Sequence, residues 1–168
     1  AKPILYICNV SEEQLANAEN DENVKKVKEY VKNENSIAIP LCAKIEEELT
    51  SLEEADKKEM LEALGLKESG LDRVIRESYS VLGLMSFLTA GEPEVRAWTI
   101  KKGTKAPVAA GKIHSDIQRG FIKAEIVSYD DLIKEGSMNA AREKGLIRSE
   151  GKEYIMQEGD IVLFKFNV

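Results

Sequence analysis

Residues that build covalent and metal frameworks are scarce in this chain: among 168 residues there are two cysteines, Cys8 and Cys42, and a single histidine, His114. A disulfide scaffold and a tetrahedral zinc site are excluded by that scarcity, and both thiols are expected to be reduced and buried. Long apolar runs are missing too. No stretch approaches the roughly 18 residues of a membrane span, and the N-terminus lacks the charged, apolar, small-residue order of a secretory signal. A cytoplasmic protein with no membrane partner is the expectation. There is also no Gly-x-x-x-x-Gly-Lys-Ser/Thr segment, so nothing cradles the β- and γ-phosphates of a nucleotide or holds its Mg²⁺. Aromatic residues make up only 6% of the chain. Charged residues make up 32% and hydrophobic ones 43%, which places it among globular proteins of one or two domains.

The net charge of −6 is unevenly spread. Residues 1–84 hold 11 Lys+Arg against 18 Asp+Glu, whereas residues 85–168 hold 13 against 12. Within 95–123, Arg96, Lys101, Lys102, Lys105, Lys112, Arg119 and Lys123 face one acid, Asp116. A basic cluster in an acidic protein is the footprint of a phosphate-rich partner, RNA above all, although strand lysines that merely keep a surface soluble leave the same trace.

Pro3-Ile4-Leu5-Tyr6-Ile7-Cys8 is a continuous apolar run followed by the polar stretch 9–13, as at the end of a buried parallel strand. Val24, Val27, Tyr30 and Val31 then recur at helical spacing, and residues 36–42 form a second apolar run. This predicts a βαβ unit whose two strands cannot cover themselves, so the sheet reads as cut and the chain as a piece of a longer protein. A short helix at 45–49 follows. Ser51-Leu52-Glu53-Glu54 reads as a capping box for another that Gly65 ends, and a third is expected over 71–82. Residues 84–91 read as a boundary, giving two domains, 1–84 and 85–168. Beyond it strands are expected at 95–100, 107–113, 121–128 and 160–167, with helical turns at 115–119, 129–135 and 138–144. Ser115 is read as a second capping box, with His114 as the strand end before it. A small mixed sheet around a short helix, closed by Val162, Phe164, Phe166 and Val168, predicts a β-grasp domain.

Two short motifs carry chemistry. Asn9-Val10-Ser11-Glu12 follows the first strand, and Cys42-Ala43-Lys44 ends the second. Together they resemble the base-recognition elements Asn-Lys-x-Asp and Ser-Ala-Lys of Ras-like P-loop nucleotidases, placed where open α/β sheets bind ligands, at the carboxyl ends of adjacent strands. The departures tilt toward adenine. A carboxylate reads guanine N1–H and its 2-amino group, neither of which adenine offers, and Glu12 is longer than the usual Asp by one methylene. An Asn9 amide can accept from adenine N6 and donate to N7. Val10 offers apolar contact in place of the lysine stem, and the backbone N–H of Ala43 would have to rearrange, because adenine N6 is itself a donor. The plainer readings are an Asx-type turn for 9–12 and a surface lysine for Lys44.

With these motifs, Gly70-Leu71-Asp72-Arg73-Val74-Ile75-Arg76, Leu82-Gly83-Leu84-Met85-Ser86-Phe87-Leu88-Thr89-Ala90-Gly91, residues 94–107, Ile113-His114-Ser115-Asp116 and Arg119-Gly120-Phe121-Ile122 make nearly the whole chain similar to the C-terminal part of the YchF subfamily of Obg-related P-loop nucleotidases. The resemblance implies the end of a nucleotidase core followed by a β-grasp TGS domain. It implies binding and slow hydrolysis of ATP, with Mg²⁺ and with GTP used less well, by the full-length protein, and no hydrolysis by this piece. Asn9, Val10, Glu12, Cys42, Ala43 and Lys44 would line the base. Cys42 stands where many relatives have Ser. The implied partner is the ribosome, its large subunit in particular, or ribosomal RNA, met through Arg96, Lys101, Lys102, Lys105, Lys112 and Arg119. A stand-alone TGS binding module with no nucleotide role is the alternative. Trp98 and Tyr154 are candidates for stacking RNA bases, though alternating strand aromatics more often belong to a core.

Overall fold

The two N-terminal apolar runs form strands β1 (Leu5–Asn9) and β2 (Ile37–Leu41) in a computed structural model, which describes residues 3–34, 36–91 and 94–167. They pair in parallel, with Ile7 opposite Ile39 and Asn9 opposite Leu41. Between them, helix α1 (Glu12–Leu15) starts in a capping box of Ser11 and Gln14, and a short 3₁₀ turn (Ala18–Asn20) leads to α2 (Glu22–Lys32). The Asp21 carboxylate accepts from the Asn23 and Val24 amides to open α2, which buries Val24 and Val31, two turns apart on one face. After β2 come α3 (Ala43–Thr50), α4 (Glu54–Ala63) and α5 (Gly70–Val81). Ile45 and Leu49 of α3 are buried with Val10, Val24 and Cys42.

The expected capping box at Ser51 does not form. Its hydroxyl donates to the Glu48 carbonyl at 2.7 Å, closing α3, and Glu53 caps α4 without a side-chain bond. Gly65 does end α4. It sits at φ 69°, and the Gly65 and Leu66 amides return to the Glu62 and Leu61 carbonyls, the paired bonds of a Schellman motif.

The chain divides into two units, 1–82 and 83–168. The second holds a five-stranded sheet in the order β4-β3-β7-β5-β6, built from β3 (Leu84–Ala90), β4 (Val95–Lys101), β5 (Phe121–Ser128), β6 (Arg148–Glu150) and β7 (Asp160–Phe166). All pairings are antiparallel except β3 with β7, where Leu88 registers with Ile161. This is the β-grasp order. Helices α6 (Ala106–Ile113) and α7 (Ser115–Arg119) cover one face over Met85, Phe87, Ile100, Ile126 and Phe164, with Phe87 and Phe164 edge to face at 5.9 Å. On the other face, α8 (Tyr129–Glu135) and α9 (Met138–Glu143) bring Leu132, Met138 and Ala141 onto Val127 and Ile161.

Four expectations are corrected here. Residues 84–91 are not a connector: Leu84–Ala90 is an inner strand with a neighbour on each side. The segment 107–113 is helical, because Ala106, Ala109, Ala110 and Ile113 share one face and the three alanines let α6 lie close against the sheet. The cap of α7 is His114, whose Nδ1 accepts from the Asp116 amide at 3.2 Å, and Ser115 is already inside the helix. Phe166 is 43% exposed and does not close the core as Val162 and Phe164 do. Val168, expected on the same face, lies outside the described residues.

Candidate functional site

Parallel pairing sets the two loops of interest side by side, since β1 and β2 both end at the same edge of the sheet with Asn9 opposite Leu41. The Val10 amide donates to the Leu41 carbonyl at 2.9 Å, extending the ladder one step past the strands. Ala43 is the first residue of α3, and Cys42 caps that helix without a side-chain bond, so the Ala43 amide has no partner within its own helix. It donates instead to Asn9 Oδ1 at 3.0 Å. At the next residue of α3, Lys44 Nζ meets Glu12 Oε1 at 2.6 Å. The Glu12 carboxylate raises the Lys44 ammonium above the ordinary lysine value through that bond. Two bonds, one neutral and one ionic, thus join the loops.

Candidate side chains separate by burial. Cys42 and Val10 point into the small core of the first unit, so a contact from Cys42 to a ligand would be through its backbone. Asn9, Glu12, Ala43 and Lys44 are exposed. Asn9 and Val10 also line a cleft of about 360 Å³ along β1, with Cys8, Gln14, Asp21 and Val24; that is the size of a small-ligand pocket. Burial pushes the Cys8 thiol up, and both cysteines are free. Among the described residues no three His, Cys, Asp or Glu side chains converge as metal ligands.

Strand geometry and ion pairing divide the basic cluster of the second unit. Arg96 and Lys101 lie five residues apart on β4 and therefore on opposite faces. The Arg96 guanidinium stacks over Trp98 at 4.2 Å, and Trp98 Nε1 donates to Thr89 Oγ1 at 2.9 Å while its ring packs on the core. Lys105 pairs with Glu153 at 2.6 Å, Arg119 with Asp116 at 2.7 Å, and Lys123 with Glu125 at 3.2 Å. Acids both near in sequence, Asp116 and Glu125, and distant, Glu153, therefore neutralise part of the excess. Lys101, Lys102 and Lys112 form no ion pair among the described residues. Tyr154 packs on the same core and donates to Asp160.

Two residues with no site role assigned from sequence stand next to the loops. Glu46 and Gly70 meet where α3 touches the start of α5, the Gly70 amide donating to Glu46 Oε1 at 2.8 Å. Glu46 follows Ala43 by three positions, which places it on the same helix face, but its partner is 24 residues further along the chain and no local pattern pairs them.

The family model YchF-GTPase_C, described as a protein of unknown function (DUF933), matches residues 84–167. The "Ribosome-binding ATPase YchF" of Bacillus subtilis (strain 168) is 56% identical over 168 residues, which is 100% of this chain and 46% of that protein. The "Obg-like ATPase 1" of Rattus norvegicus is 43% identical over 169 residues, covering 99% of this chain and 42% of that protein. This chain accordingly spans about half the length of these relatives. The structure of the Schizosaccharomyces pombe YchF GTPase superposes with a TM-score of 0.81 at 38% identity, over 98% of this chain and 44% of the other. A GTP-binding protein from Pyrococcus horikoshii, at 23% identity and a TM-score of 0.64, shares the fold. Related across its length to these proteins and matched by the family model over its second half, the chain belongs to the YchF family.

Proposed function

We propose that this chain is the base-recognition end and C-terminal TGS-type module of a ribosome-associated nucleotidase that prefers ATP to GTP. The observation that carries this reading is the Asn9 Oδ1 bond to the Ala43 amide, which ties two base-reading elements together at the carboxyl ends of parallel strands. An amide oxygen has two lone pairs and an amide nitrogen two hydrogens. With one lone pair given to Ala43, Asn9 still accepts from adenine N6 and donates to N7. Glu12 Oε1 is engaged by Lys44, and adenine offers its carboxylate neither the N1–H nor the 2-amino group that guanine does. These side chains bind and orient the base. Mg²⁺ and the β- and γ-phosphates belong to residues outside this chain.

Parallel titrations of ATP and GTP with the full-length protein in Mg²⁺ test the preference, and tighter GTP binding refutes it. Asn9→Ala is expected to weaken ATP binding by about 1–3 kcal/mol, the scale of one bidentate base contact. Isothermal titration measures the loss, and an unchanged affinity removes Asn9 from the site.

The unpaired Lys101, Lys102 and Lys112 favour a second activity of the same protein, in which the β-grasp unit meets ribosomal RNA. Reversing Lys101 and Lys102 to Glu is expected to weaken ribosome cosedimentation, more steeply so in low salt, and to leave ATP turnover intact. Equal cosedimentation would exclude this surface. A stand-alone TGS module without a nucleotide role predicts no effect of either Asn9→Ala or nucleotide on any measured property.

A further inference from the structure

We infer that Glu46, braced by Gly70, is the positioning residue that fixes the base-reading backbone at Ala43, an inference that rests on the base-site reading above. Cys42 gives α3 no side-chain cap, so the direction of the Ala43 amide is set by where α3 as a whole is seated. Ile45 and Leu49 anchor that helix in the core. Glu46 anchors it laterally. Oε1 of its carboxylate accepts from the Gly70 amide at 2.8 Å and Oε2 from the Leu71 amide at 3.0 Å, the first two amides of α5. Ser69 serves the next two: its hydroxyl oxygen accepts from the Asp72 amide and its carbonyl from that of Arg73. The amides of Gly70, Leu71 and Asp72, which the helix start leaves without internal partners, are thus satisfied, two of the three by a side chain from another helix, and the positive end of α5 adds to the hold on the carboxylate.

Gly70 closes the joint from the other side. A Cβ there would stand 2.6 Å from the Cβ of Leu41 and 2.8 Å from Glu46 Oε1, a separation that real Cβ atoms do not tolerate. Leu41 is the residue opposite Asn9, and its carbonyl receives the Val10 amide. The start of α5 therefore presses on the second base-reading loop from both sides, on β2 at Leu41 and on α3 through Glu46. Glu46 touches no base. It acts through Ala43 and the bond from Ala43 to Asn9.

Adenine reading and mere folding separate when two ligands are compared in the full-length protein: ATP, and ribose 5′-triphosphate, which carries the same phosphates and no base. Glu46→Ala is expected to weaken ATP binding on the order of tenfold, the worth of one hydrogen bond, and to leave ribose triphosphate binding unchanged. Glu46→Gln keeps one of the two acceptors and is expected to fall between wild type and Glu46→Ala; it carries the test if the alanine variant does not fold. Gly70→Ala, which strains the joint without touching Glu46 chemically, is expected to show the same loss confined to ATP. Folded variants that lose both ligands equally, or neither, overturn the role of Glu46 while the base site stands. A wild type that binds the two ligands alike overturns the base-site reading itself, and this inference with it.

Discussion

Gly120→Ala is expected to destabilise the β-grasp unit by about 3 kcal/mol or more, at or above the upper end of what overpacking a tight contact costs. The added Cβ would lie 1.9 Å from the carbonyl oxygen of Asn167 and 2.8 Å from its carbonyl carbon. Both are backbone atoms, so no side-chain rotation relieves the clash. The same two residues are bonded, the Asn167 amide donating to the Gly120 carbonyl at 2.9 Å, and separating the strands to admit a methyl group breaks that bond as well. The φ of Gly120 is −89°, which any residue adopts, so close approach and not backbone freedom demands glycine here. Denaturant titration of the chain should show the transition of the second unit moved to lower concentration. Gly111→Ala is the internal comparison. Its Cβ would meet the Gln118 side chain, whose amide end, at 2.2 and 2.9 Å, can swing away and whose own Cβ stands at 3.3 Å, so the cost should be smaller. Equal stability for Gly120→Ala and wild type would mean that β5 and β7 do not close at this point.

Elements whose signal was local were readable from the chain alone. β1 and β2 announce themselves as continuous apolar runs, although Ile7 of β1 stays exposed, and Asp21 and Gly65 mark helix ends by their own chemistry. Elements defined by distant partners were not. Residues 84–91 read as a boundary, yet β3 gains its place from β4 and β7. β6 is Arg148-Ser149-Glu150, with no apolar residue to announce it, and exists only as a ladder on β5. For α6 the signal was present and misread: Pro107 and Gly111 suggest an extended segment, but the spacing of Ala106, Ala109, Ala110 and Ile113 is that of a helix face. Pro107 is tolerated because it lies in the first turn, where its missing amide leaves no bond unmade.

The candidate site divides in the same way. Asn9 and Ala43 were legible as two motifs, each anchored to the end of a strand, but their bond to one another depends on the register of β1 on β2 and on the seating of α3. Charge in the second unit illustrates the limit of counting along the chain. The excess of seven bases over one acid between 95 and 123 is real in sequence. Glu153 comes from the loop before β7 and Glu125 from just beyond the segment, and each claims one of those bases. Among the described residues Arg96, Lys101, Lys102 and Lys112 are what ion pairing leaves of the seven, Arg96 being stacked over Trp98.

Asp160→Ala is expected to cost about 3–5 kcal/mol, the range for breaking a buried, hydrogen-bonded charge network by removing one partner. Asp160 is the first residue of β7 and only 2% exposed. Its Oδ2 accepts from the Gln157 amide at 2.8 Å and from the Tyr154 hydroxyl at 3.0 Å, and its Oδ1 lies 3.5 Å from the Arg148 guanidinium. Arg148 in turn donates to the Tyr154 hydroxyl at 3.2 Å, so one carboxylate gathers β6, the loop after it and the start of β7. Removing it leaves a part-buried amide and a part-buried hydroxyl without their acceptor, and each orphaned group carries its own desolvation penalty. Asp160→Asn keeps an acceptor for one of those donors and gives up the charge, so it should cost less than half as much. Tyr154→Phe removes a donor and an acceptor together, and combined with Asp160→Ala it should be less harmful than the sum of the two. The loop abuts the start of α6: Ile155 bridges to Lys105, and the Ala106 amide donates to the Tyr154 carbonyl. Loss of Asp160 should therefore loosen the Lys101–Lys105 turn, visible as faster amide exchange there, at temperatures where the rest of the sheet is still protected. Strict additivity of the double variant, with exchange unchanged in that turn, would show that Asp160 serves only its own strand.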